Sequence, residues 1–136
     1  MSQLIPMNLT DSTANDSDKT ISLTTNQFHV LESIYVTYSA TATVGDRQLE
    51  VQAKNAAGTV VWQVRAGAVQ AANTARKYFF AAGAPAASAF IDTEFLYCFM
   101  PSVFLPGDFT VRIFDNNAVD AAADDMVVFL NGYQIG

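Results

Sequence analysis

The chain has 136 residues, 51% of them hydrophobic and only 15% charged, with a net charge of −6. That length fits one domain with a substantial core, and the acidic balance argues against nucleic-acid binding, which needs a basic footprint. The single cysteine, Cys98, rules out an internal disulfide and fits a reducing cytoplasm.

Residues 1–20 are polar and poor in aromatics, as in Thr10-Asp11-Ser12-Thr13-Ala14-Asn15-Asp16. They are expected to form a flexible or extended N-terminal arm, anchored by Leu4, Ile5, Met7 and Leu9, that either orders on a neighbouring subunit or frays. The first six residues lack the basic and apolar regions of a signal peptide. The longest apolar run, residues 95–105, is too short to span a bilayer and contains Pro101. A soluble protein with no membrane partner is expected.

From residue 21 onward the chain reads as strands and turns. Residues 21–25 form a short candidate. Residues 30–41 alternate, with Ile34, Val36 and Tyr38 offset from Ser33, Tyr35, Thr37 and Ser39. After the turn at Val44-Gly45-Asp46, residues 47–53 put Leu49, Val51 and Ala53 inward and Gln48, Glu50 and Gln52 outward. Asn55-Ala56-Ala57-Gly58 reads as a hairpin loop, with residues 59–65 as the returning strand. Residues 66–75 are rich in small side chains and fit a loop or one helical turn. Strands follow at 76–81 and within 90–100. In Leu105-Pro106-Gly107-Asp108, proline suits the second turn position and glycine the third. Residues 109–114 alternate, and residues 126–133 form the last strand. About eight strands with no long helical pattern predict an all-β, two-sheet antiparallel β-sandwich over residues 21–136. An eight-stranded jelly roll fits the length, with an immunoglobulin-like sandwich as the alternative.

Two strands are apolar on both faces: Phe95-Leu96-Tyr97-Cys98-Phe99-Met100 and Met126-Val127-Val128-Phe129-Leu130. A sandwich covers one face of each sheet, so their second face needs a loop, the arm or another subunit. Aromatic and arginine side chains anchor interfaces. Phe95, Tyr97, Phe99, Phe129 and Tyr133 are therefore the candidate contact residues, shared between core and interface, with Arg76, Lys77 and Arg112 as the charged candidates. Charge is unevenly spread: residues 47–77 carry Arg47, Lys54, Arg65, Arg76 and Lys77 against Glu50, and residues 108–125 carry five aspartates against Arg112. Such patches either steer head-to-tail contacts between copies or are ordinary loop charges.

Chemistry finds little support. His29 is the only histidine, and its one conceivable nucleophile, Cys98, lies in the most apolar segment, where a thiolate is disfavoured. One histidine and one cysteine do not make a zinc site. Asp115, Asn116, Asp120, Asp124 and Asp125 offer oxygen ligands for calcium or simply serve turns, and lack the EF-hand spacing. Asp92 and Glu94 share one strand face without a sign of a raised pKa. Trp62 shares a face with Val60 and Val64 and reads as core. Tyr35, Tyr78, Tyr97 and Tyr133, if exposed, would suit a sugar. Gly45, Gly58, Gly67 and Gly83 are isolated turn glycines, not a phosphate loop. No catalytic residue, metal site or cofactor is expected.

Three stretches carry a family resemblance: Thr43-Val44-Gly45-Asp46-Arg47-Gln48-Leu49, Arg65-Ala66-Gly67-Ala68-Val69-Gln70-Ala71, and the segment from Leu105-Pro106-Gly107 through Val111-Arg112-Ile113 to Val119-Asp120-Ala121-Ala122-Ala123-Asp124-Asp125-Met126. Over roughly residues 30–130 they resemble the jelly-roll capsid decoration, or cement, proteins of tailed bacteriophages. That resemblance implies a non-enzymatic virion protein, made in the host cytoplasm and bound to the capsid exterior. It implies two partners: the major capsid protein, whose neighbouring subunits it clamps, and further copies of itself in a homodimer or homotrimer. A tail or fibre module of the virion, with or without carbohydrate binding, is the alternative, and a small hydrolase is a third reading.

Overall fold

The computed structural model describes residues 3–135. Its regular elements are strands: β1 (Leu4–Asp11), β2 (Asp18–Ser22), β3 (Phe28–Ser39), β4 (Leu49–Lys54), β5 (Val60–Arg65), β6 (Ala75–Ala81), β7 (Phe95–Phe99), β8 (Val103–Pro106), β9 (Thr110–Asp115) and β10 (Asp125–Ile135). Sheet A has the order β1-β10-β3-β6-β7, and sheet B has the order β2-β9-β4-β5. β8 pairs with β3 on the edge opposite β10, continuing the line of β6. Every pairing is antiparallel except β6 with β7.

The chain is therefore all-β and folds as a two-sheet sandwich. With β7 and β8 set aside, the remaining eight strands nest as one long hairpin rolled upon itself. β4 pairs β5, β3 pairs β6, β2 pairs β9 and β1 pairs β10, and the chain changes sheet at each step outward. That nesting is the jelly roll. Alternation builds the core between the sheets. Ile34, Val36 and Tyr38 of β3, Leu49, Val51 and Ala53 of β4, Val111 and Ile113 of β9, and Met126, Val128 and Leu130 of β10 are all buried. Each large aliphatic side chain so placed contributes about 1.5–3 kcal/mol.

The structure corrects several expectations. Residues 1–20 are no separate arm in their described part. β1 pairs residue by residue with β10, and β2, which straddles the expected boundary at residue 20, pairs with β9. The Lys19 ammonium donates to the Thr13 carbonyl (2.6 Å) and to Asp11 (3.2 Å), tying the connection between them. β1 is an edge strand that buries Met7 and leaves most other positions exposed, so its composition mimics a solvated tail. Met1 and Ser2 lie outside the described residues. Asp92 and Glu94 sit in a turn rather than on a strand, because Asp92 (φ 51°) and Thr93 (φ 62°) adopt left-handed conformations. The turn after β8 is closed by the Phe109 amide on the Pro106 carbonyl (3.2 Å), one residue later than proline placement suggests. The 55–58 hairpin loop forms as expected. The Gly58 amide donates to the Asn55 carbonyl (2.9 Å) at a φ of +82°.

A bulge in β3 at Glu32 sets Gly132 of β10 directly against the β3 backbone. A Cβ at this position would collide with the Val30 carbonyl oxygen. Gly132→Ala is therefore expected to cost stability at the upper end of the roughly 1–3 kcal/mol typical of overpacking, read as a lower urea midpoint with an unchanged slope.

Candidate functional site

Strand register assembles the outer face of sheet A into rows. Opposed residues share a face, so Phe129 of β10, Tyr35 of β3, Phe79 of β6 and Tyr97 of β7 form one continuous aromatic row. One step beyond lie Val127, Thr37, Lys77 and Phe95. On the other side runs an uncharged polar row, Asn8, Asn131 and Ser33, continuing into Ala81 and Phe99. Past the bulge come Pro6, Tyr133, Val30 and Phe104, and then Leu4, Ile135 and Phe28. Six of the ten phenylalanines thus sit on the outside of one sheet. Phe104 is 58% exposed, Phe28 and Phe99 50%, Tyr133 40% and Tyr97 36%. Tyr35, Phe79, Phe95 and Phe129 are half-buried, and the rings of the face pack on one another: centroids lie 5.9 Å apart for Tyr35–Phe129, 5.1 Å for Phe95–Tyr97 and 5.3 Å for the stacked pair Phe28–Phe104. Soluble monomers rarely expose apolar surface this continuous.

The outer face of sheet B has the opposite character. Its rows are Asp18, Phe114, Glu50 and Arg65, then Thr20, Arg112, Gln52 and Gln63. The Arg112 guanidinium donates twice to Asp18 (2.8 and 2.7 Å) and lies 3.8 Å over the Phe114 ring. Arg65 pairs with Glu50, whose other oxygen accepts from Gln52 (2.7 Å). Both arginines of this face are paired within the chain.

The acidic segment after β9 works as a structural clamp. Arg47 (1% exposed) donates from Nε and Nη2 to Asp124 (0%) at 3.0 and 3.1 Å, and from Nη1 to the Thr43 and Gly45 carbonyls. The Tyr38 hydroxyl donates to Asp124 (2.7 Å) and so does the Thr41 amide (2.8 Å). Burial pushes the Asp124 carboxyl up, but Arg47, Thr41 and Tyr38 outweigh it and hold the carboxyl below its ordinary 3.8. Asp120 accepts from the Thr41 and Thr43 hydroxyls, Asp115 caps the amides of Gln48, Asn117 and Val119, and Asp125 accepts from the Asn15 amide. These carboxylates diverge onto separate donors. Among the described residues no cluster of three or more metal-ligating side chains forms. Of the basic and acidic stretches, one pair meets in the fold: Arg47 of the first with Asp124 of the second.

His29 and Cys98 do not meet. Both point inward, but His29 lies five residues along β3 from Ile34, whose row holds Cys98. That is roughly 17 Å along the strand. Burial pushes the Cys98 thiol up to about 12. His29 is fully buried, neither ring nitrogen has a hydrogen-bond partner, and burial lowers its pKa below 6.5, with the Leu105 backbone opposing this only in part. The unfolded chain thus binds its proton first. Stability is full above about pH 6.5 and falls as pH drops from there toward the lower folded value. The urea midpoint is expected to fall as pH drops below about 6.5 in the wild type and, above the carboxylate range, to stay flat in His29→Leu. Asp11, held low by the Thr13 amide, and Asp18, held low by Arg112, act only below this window.

Of the residues singled out in the sequence, Phe95, Tyr97, Phe99, Phe129, Tyr133 and Lys77 share the outer face of sheet A, with Lys77 at its rim beside Glu94 (3.9 Å). Arg112 lies on the opposite sheet, and Arg76 lies over the Phe90 ring (5.6 Å) at the sandwich edge. Tyr78 is buried and donates to Gln70 (2.8 Å), so it is core. Tyr35, Phe79, Phe28 and Phe104 complete the face without having been singled out as contact residues. Their signal was present as aromatics at the outward positions of alternating strands.

No protein-family model and no curated protein matches the chain. Among solved structures it is similar to a chain in the structure of infectious bursal disease virus Gx strain, at 9% identity and a TM-score of 0.33, over 96% of this chain and 35% of that one. The chain thus spans about a third of that neighbour's length.

Proposed function

We propose that the chain is a non-enzymatic structural protein of a virion, a cement protein on the exterior of a bacteriophage capsid that ties neighbouring major capsid subunits together as a homo-oligomer. The observation that carries this reading is the asymmetry of the sandwich: one outer face is aromatic and unpaired, the other is polar and ion-paired within the chain. A large apolar face on a chain with 15% charged residues is built to be covered by protein. The resemblance to cement proteins supplies the partner. The mechanism is mechanical, since each copy that binds only the assembled shell stabilises it by mass action. The interior Arg47, Asp124 and Tyr38 are engaged in holding loops, which supports a role without catalysis.

The test mixes purified protein with expanded capsid shells that lack it. Saturable binding in a fixed ratio to the shell subunit, with a raised shell melting temperature, is the expected result. Absence of binding would shift the chain to a tail or fibre module, and glycan binding would then be measured.

A further inference from the structure

We infer that the outer face of sheet A is the interface of a two-fold dimer of this chain. This deepens the reading above, which needs that face covered, by naming its occupant as a second copy.

The pattern of the face is self-complementary along the strands. The polar row Asn8, Asn131 and Ser33 is flanked on one side by Phe129, Tyr35 and Phe79 and on the other by Tyr133, Val30 and Phe104. A two-fold axis lying along the polar row, between the two molecules, sets that row upon itself. It places Phe129 over Tyr133 of the second copy, Tyr35 over Val30 and Phe79 over Phe104. Such a contact is isologous and closed. An amide both donates and accepts, so Asn131 can hydrogen-bond its own symmetry mate.

Size fits as well. Five strands about 4.8 Å apart, and nine residues of β10 at about 3.3 Å each, give a face on the order of 700 Å². A standard interface takes about 800 Å² per partner. Charge opposes a second copy overall, but only weakly on this face. Copies at −6 repel overall, but on this face Lys77 and Glu94 pair at the rim. The carboxylate next to the polar row is Glu32, the extra residue of the β3 bulge.

Sedimentation velocity of the full chain alone, at about 50 μM, decides the matter, because a dissociation constant of about 1 μM leaves little monomer there. The wild type is expected to sediment as a dimer. Asn131→Asp sets two carboxylates opposite each other on the axis and is expected to weaken the dimer at least about tenfold with an unchanged far-UV circular dichroism spectrum. Glu32→Gln relieves repulsion beside the axis and is expected to tighten it. A monomeric wild type, an Asn131→Asp dimer as tight as the wild type, or a Glu32→Gln dimer no tighter than the wild type each overturns the inference. Shell binding is scored separately. A dimer that ignores shells keeps the two-fold interface and removes the cement reading, and a monomer that saturates shells does the reverse.

Discussion

Asp124→Ala is expected to lower the unfolding free energy by about 3–5 kcal/mol, because it leaves the Arg47 guanidinium buried without its counter-charge. Arg47 and Asp124 are among the least exposed polar residues of the fold, and they join the 41–47 connection to the segment before β10 across 77 residues of sequence. The Tyr38 hydroxyl and the Thr41 amide lose the same acceptor, and each orphaned buried donor adds to the cost. Chemical denaturation at pH 7 measures the loss. Replacing both charges, as in Arg47→Met with Asp124→Leu, is expected to cost less than Asp124→Ala alone, since no unpaired charge remains. A double variant less stable than the single would show that the clamp's backbone contacts matter more than its charges.

Phe129→Ser and Phe80→Ala are expected to separate contact from core. Both positions carry phenylalanine in sheet A, but Phe80 points into the sandwich and is fully buried, whereas Phe129 stands on the outer face against Tyr35. Phe80→Ala leaves a cavity and is expected to cost about 3–5 kcal/mol of stability. Phe129→Ser is expected to cost the isolated fold about 1 kcal/mol, the worth of one aromatic pair. It is expected to weaken binding through the outer face by about 2 kcal/mol, roughly 30-fold, as loss of a central anchor does. Binding to shells and the sedimentation profile are the readouts. If Phe129→Ser folds, binds shells and keeps its oligomeric state, the assignment of this face to protein contact is wrong.

Much of the fold was legible because alternation is local. Leu49, Val51 and Ala53 declare their common face in their own six residues, as do Ile34, Val36 and Tyr38, and all six are buried. Leu96 with Cys98 and Val128 with Leu130 do the same from inside segments that are apolar throughout, since the strand geometry sends their neighbours Tyr97 and Phe129 the other way. β1 was illegible for a complementary reason. An edge strand is held by backbone hydrogen bonds to β10, and backbone pairing leaves no mark on side chains such as Thr10 and Asn8.

Alternation alone assigned the chain to a β-sandwich and sorted the residues of β3, β4, β7 and β10 by face, because both follow from a two-residue period. That Phe129, Tyr35, Phe79 and Tyr97, drawn from four strands, stand in one row, that Arg112 belongs to the opposite sheet and that Arg47 pairs with Asp124 emerged from the folded chain alone. Register between strands distant in sequence is set by non-local pairing and the bulge at Glu32, and a one-residue slip would have turned every one of these side chains to the other face.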